Sequence, residues 1–220
     1  MNFRRRPYGS SALQRSLWRR AVATWIIVIV NVFWFIVVEG TRGYNTLGLV
    51  ASGALEPSGG WYRYISAMFV HFGILHIGLN MLSLGSLYVV ELLIGTPAYI
   101  VVYLFSGVVG NIASAVLTPG IAAGASGAVF GVFGGALTLS FVGVLPKSIR
   151  NQLLTWLAIN LVYDFSNPQI GTMAHLGGLV TGMLMTFAFH KRKGNGIKTR
   201  ILAVVSVLGA GWALILAFLS

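Results

Sequence analysis

Long stretches without a charged side chain constrain this chain more than anything else in it. Residues 21–38, 98–117, 124–145, 172–189 and 201–219 carry no Lys, Arg, Asp or Glu, and 67–93 carries only Glu91. Soluble domains are about one-quarter charged; here 9% of 220 residues are charged and 56% are hydrophobic. Runs of this length match the hydrocarbon thickness of a bilayer. The expected fold is therefore all-α, a polytopic membrane helical bundle. The net charge of +11 does not point to nucleic acid, because the basic residues sit in short clusters between apolar runs. With no cysteine in the chain, disulfides, thiol nucleophiles and Cys-ligated zinc are excluded.

Taken in order, residues 1–20 form a basic N-terminal segment with six arginines. The run from Ala21 to Val38 follows without an A-x-A-like cleavage site, so it reads as a retained first span. Residues 39–65 are broken by glycine and rich in aromatics, ending in Trp61-Tyr62-Arg63-Tyr64, a composition suited to the headgroup layer. Further spans are expected at about 67–93, 98–117, 124–145, 151–165, 172–189 and 201–219. Pro97, Pro119, Pro146 and Pro168 mark four of the connections. No internal repeat is visible, which argues against the duplicated halves of a transporter. The divisions expected are 1–20 as a cytoplasmic segment, 21–190 as a six-span core, and 191–220 as a basic loop with a seventh helix.

Charge asymmetry orients the bundle. With the N-terminus in the cytoplasm, thirteen basic residues fall on inner segments and only Arg42 and Arg63 on outer ones. The C-terminus is then outside, and spans two, four and six all run inward from the outer face.

That orientation gathers a specific set of side chains. Ser126 stands in Gly124-Ala125-Ser126-Gly127 at the head of span four, among residues that leave a hydroxyl accessible. Such a run is also a common packing seam in membrane helices. His175 stands at the head of span six, and His76 and Asn80 lie four apart on one face of span two. Intramembrane ionisable groups point to function, whereas Asn80 is equally suited to an interhelical hydrogen bond. Gly178 and Gly182 share a face with His175, and Gly127, Gly131 and Gly135 recur on span four. Bare faces let the two helices approach closely enough for a Ser–His hydrogen bond. His71 and His190 fall near span edges and read as structural.

Gly124-x-Ser126-Gly127, His76-x-x-x-Asn80 and Ala174-His175-x-x-Gly178-x-x-x-Gly182 together resemble the rhomboid intramembrane serine proteases. Tyr62-Arg63 resembles the Trp-Arg pair of that family's first loop. The resemblance covers about residues 21–190, a six-helix core, with the seventh helix appended. It implies a Ser–His dyad in which Ser126 is the nucleophile and His175 the general base. It also implies that His76, Asn80 and the Ser126 backbone N–H stabilise the oxyanion. Gly124, Gly127, Phe130, Gly178 and Gly182 would shape the site, with Phe130 standing where many members carry Tyr. Asp164 is a conceivable third partner for His175, although a surface cap is the plainer role. Glu91 at the inner end of span two reads as structural and needs a partner, being a carboxylate at a helix C-terminal end.

The implied activity is hydrolysis of peptide bonds in or next to transmembrane segments, with membrane proteins as substrates and no cofactor or metal. The implied location is a bacterial plasma membrane. The competing expectations are a catalytically inactive rhomboid-like binder of membrane helices and a small channel or transporter.

Overall fold

The computed structural model describes residues 17–118, 120–166, 171–191, 196 and 202. The expected seventh span lies outside the described residues apart from Leu202. The regular elements of the described residues are all helices, with no strand and a single isolated bridge between Leu55 and Ala122.

Helix α1 covers Val22–Phe33 and runs on through a π-helical stretch, Trp34–Glu39, into a last turn at Gly40–Arg42. The i→i+5 bonding of a π-helix sets residues five apart on one face. Trp34 and Glu39 are accordingly both buried. Gly43, at φ +91°, ends the rod. Short helices α2 (Thr46–Ala51) and α3 (Arg63–Ser66) follow, with a 3-10 turn at Ala67–Phe69. Then come α4 (Ile74–Ser86), α5 (Val89–Ile94), α6 (Thr96–Leu117), α7 (Ser126–Phe141), α8 (Lys147–Ser166) and α9 (Thr172–Lys191).

Among the described residues, four stretches are long and apolar enough to cross a membrane: Val22–Arg42, Ile74–Ile94, Thr96–Leu117 and Thr172–His190. Helix α7 is apolar but shorter, at 16 residues. It spans about 24 Å, less than the roughly 30 Å hydrocarbon core of a bilayer. Helix α8 has 20 residues but is studded with Lys147, Arg150, Asn151, Gln152 and Asn160. Large apolar side chains stand exposed on the outside, among them Leu75, Leu79 and Leu82 on α4, Trp156 and Val162 on α8, and Leu184 on α9. In water these would be a liability; facing acyl chains they are well solvated.

The expected second span begins at Ala67, but helix α4 begins at Ile74. Residues 67–73 are instead a strap, buried from Ala67 to His71, in which the 3-10 turn gives way to extended Val70 and to Gly73 at φ +137°. Its apolar side chains give it the composition of a span, while Ala67 O accepts from Gly124 N and His71 N donates to Glu39 on distant elements. The 39–65 segment is likewise better anchored than a headgroup-layer loop requires. Arg63 is buried and donates through Nη1 to the carbonyls of Val50 (2.6 Å) and Ala54 (2.8 Å), with Glu56 3.3 Å from Nη2. Arg42 Nη1 donates to Ala51 O at 2.6 Å, so both cations bind backbone of the same segment.

Glu91 has the partners its position demands. Its carboxylate accepts from Ala23 N (2.9 Å), Thr24 N (2.8 Å), Thr24 Oγ1 (2.8 Å) and Thr96 Oγ1 (2.7 Å). The first two are orphan donors in the first turn of α1, whose positive dipole end faces the carboxylate. Glu91 itself stands in the first turn of α5 and not at the helix C-terminal end expected from the sequence.

Candidate active site

The loop before α7 is held by backbone bonds to Leu55 and to the strap. Ala122 N donates to Leu55 O (2.9 Å) and Leu55 N to Ala122 O (2.8 Å); Gly124 N donates to Ala67 O at 2.9 Å. Ala125 N points at His71 Nε2, 3.5 Å away. Gly124 sits at φ +130°, and a Cβ there would lie 2.9 Å from His76 Nε2 and 3.6 Å from Ser126 Oγ. Both the backbone and the space therefore require glycine. With Ala125 as its N-cap residue, α7 starts at Ser126 and carries that hydroxyl on its first turn.

His175 occupies the first turn of α9, and its Nε2 is 2.7 Å from Ser126 Oγ. The imidazole is buried and lies flat on Phe130, ring centroids 4.3 Å apart and planes 7° from parallel. Phe130 is one turn below Ser126 on the same face of α7, so one helix supplies both the hydroxyl and the platform for its partner.

The glycine seam makes this distance attainable. A Cβ on Gly178 would fall on the carbonyl oxygen of Gly127, and one on Gly182 on that of Gly131. A Cβ on Gly127 would come within 3.3 Å of Ala174 O. Helices α7 and α9 thus touch backbone to backbone, reinforced by Thr138 Oγ1 donating to Met183 O at 3.2 Å.

His76 and Asn80 fare differently. The His76 ring packs on Gly124 Cα, stacks with Phe72 at 5.8 Å, and accepts weakly from Phe72 N through Nδ1 at 3.4 Å. Asn80 is buried, and its Nδ2 donates back to His76 O at 3.1 Å. That bond uses one of two amide hydrogens. Asp164 lies in the last turn of α8 by its backbone; its side chain lies outside the described residues. His190 lies near the end of α9, half-buried.

His71 is the residue the sequence reading undervalued. It is fully buried, with Nδ1 3.2 Å from Phe69 O and its ring 5.3 Å from that of His76. Glu39, also fully buried, grips its backbone, both carboxylate oxygens lying 3.1 Å from His71 N. The available signal was a carboxylate at the end of one apolar run and a histidine five residues before His76.

A family model described as Rhomboid domain matches residues 58–192. Rhomboid protease GluP of Bacillus subtilis (strain 168) is 33% identical over 193 residues, 84% of this chain and 38% of its own length. "Putative rhomboid protease YdcA" of the same organism is 32% identical over 160 residues, 70% of this chain and 76% of its own. Inactive rhomboid protein 1 of Papio anubis is 31% identical over 134 residues, 59% of this chain and 16% of its own. The chain thus spans about two-fifths of GluP and three-quarters of YdcA. The domain match takes in the strap, the serine loop and α9 alike, and an integral membrane protein built this way belongs to the rhomboid family.

Proposed function

We propose that this chain is an intramembrane serine endopeptidase that cleaves membrane proteins in or next to their transmembrane segments by a Ser126–His175 dyad. The observation that carries this reading is the 2.7 Å separation of His175 Nε2 and Ser126 Oγ. A silent binder of membrane helices has no use for a nucleophile and base at hydrogen-bond length, so the contact favours hydrolysis.

In this reading Ser126 Oγ attacks the scissile carbonyl carbon as His175 Nε2 takes its proton. The tetrahedral oxyanion is met by His76, by the free amide hydrogen of Asn80 and by the Ser126 N–H, at the positive end of α7. Collapse breaks the C–N bond, and His175 passes the proton to the leaving amine. A water, deprotonated by the same imidazole, then attacks the acyl ester and releases Ser126. The face of Phe130 supports the imidazolium during both steps.

The bias of thirteen basic residues to two supports an N-terminus in the cytoplasm and a site in the outer leaflet of a bacterial plasma membrane. The chain needs no cofactor for this chemistry. The test is covalent labelling with a fluorophosphonate probe, paired with cleavage of single-span substrates in liposomes. Wild type is expected to label at Ser126 and cleave, and Ser126→Ala to do neither while melting at nearly the same temperature. Labelling elsewhere, or cleavage by purified Ser126→Ala, would overturn the assignment.

A further inference from the structure

The geometry points to Glu39 as a positioning residue for the Ser126 loop, acting through His71; the kinetic part of this inference rests on the protease reading. A fully buried carboxyl group is a costly packing choice. Glu39 sits where the π-helical end of α1 turns it inward, with both oxygens sharing the single backbone N–H of His71. Two acceptors on one donor fix the plane of that peptide at the bend of the strap, between extended Val70 and Gly73.

The His71 ring is oriented in turn. Phe69 O is an acceptor only, so the ring nitrogen 3.2 Å from it, Nδ1, carries the proton. Nε2 is then a bare acceptor, and it faces the N–H of Ala125. Ala125 N–H is one of the orphan donors at the start of α7, and His71 caps it from outside the helix. The order of connection is thus end of span one, strap, loop, nucleophile. Loss of the Glu39 acceptors frees the strap at its bend, swings the imidazole and releases the residue next to Ser126.

Two measurements test this without requiring activity. The chain has four histidines, so the imidazole 15N spectrum of the whole protein in nanodiscs is sparse, and His71 is assigned by loss of its signals in His71→Asn. Wild type is expected to show the neutral Nδ1–H tautomer at His71; an Nε2–H tautomer overturns the inference. Amide hydrogen exchange over residues 120–126 is expected to speed at least about tenfold in Glu39→Leu and to return most of the way in Glu39→Gln, which keeps an acceptor oxygen. Cleavage in liposomes is expected to follow, with kcat down about tenfold in Glu39→Leu, KM little changed, and recovery in Glu39→Gln. A folded Glu39→Leu with wild-type exchange and kcat overturns the inference. If Glu39→Leu does not fold, the wild-type tautomer decides. Absence of cleavage or probe labelling in wild type would instead strike the protease reading, leaving tautomer and exchange to judge the positioning role.

Discussion

The carbonyl oxygen of Gly127 occupies the place that a side chain on Gly178 would need. Even Gly178→Ala must therefore separate α7 from α9. Overpacking of this kind costs about 1–3 kcal/mol, and a misplacement of about 1 Å is worth roughly a hundredfold in rate. Gly178→Ala is expected to lower the melting temperature in detergent and to cut cleavage in liposomes by about that factor, with Gly178→Val worse in both. A Gly178→Val variant that cleaves like wild type would mean that the backbone contact is absent.

Glu91 offers the converse case, a stability residue remote from the dyad. It holds the first turn of α1, at the opposite end of that helix from Glu39. Glu91→Leu strands the N–H groups of Ala23 and Thr24, each at about 1–3 kcal/mol when buried. The expected outcome is a loss of about 3 kcal/mol in unfolding free energy with kcat near wild type well below the melting temperature. Equal stability would show that water or other donors replace the carboxylate without cost.

Orientation is checked by reporters. An enzyme active only in the cytoplasm should work when fused after Arg200 and be silent when fused after Ser220. The reverse pattern would invert the bundle and place Ser126 near the cytoplasmic face.

Substrate choice should depend on how readily the substrate's own helix opens. A peptide bond within an intact helix keeps its carbonyl hydrogen-bonded, so cleavage should favour sites near the outer end of a span where Gly or Pro weakens the helix. Gly→Leu or Pro→Leu changes just beyond the cut of a cleaved substrate are expected to slow cleavage severalfold while leaving insertion intact; one Gly change alone alters helix stability by about 1 kcal/mol. Equal rates for both versions in liposomes would leave sequence around the cut as the determinant.

The all-helical membrane architecture, the places of Ser126 and His175 at the heads of their helices and the bare faces of α7 and α9 were legible in the sequence. Each rests on periodicity along a single helix or on a residue type with few uses in lipid. The strap at 67–73 was not legible. Membrane interiors and lipid faces are both apolar, so Ala67-Met68-Phe69-Val70 has the same composition whether it opens a spanning α-helix or makes a short 3-10 turn and then extends. The Glu39–His71 contact and the carbonyl contacts of Arg63 were hidden for another reason. They join elements whose separation along the chain exceeds any local pattern, and they exist only once the bundle has closed. Asn80 shows the limit from the other side: its bond to His76 O is local, and the sequence left it open between that role and a catalytic one.

Helix α7 carries a further implication in its length. It begins at Ser126 and ends at Phe141, and nearly all of it is enclosed by other helices. Inserting or deleting one residue within it would shift Ser126 along the axis by about 1.5 Å and turn it by about 100° relative to the seam. The hydroxyl would leave His175, and Gly127 and Gly131 would rotate away from Gly178 and Gly182. The number of residues below Ser126 thus works as a fixed gauge of both depth and bearing, and change in chain length is confined to the connections at either end.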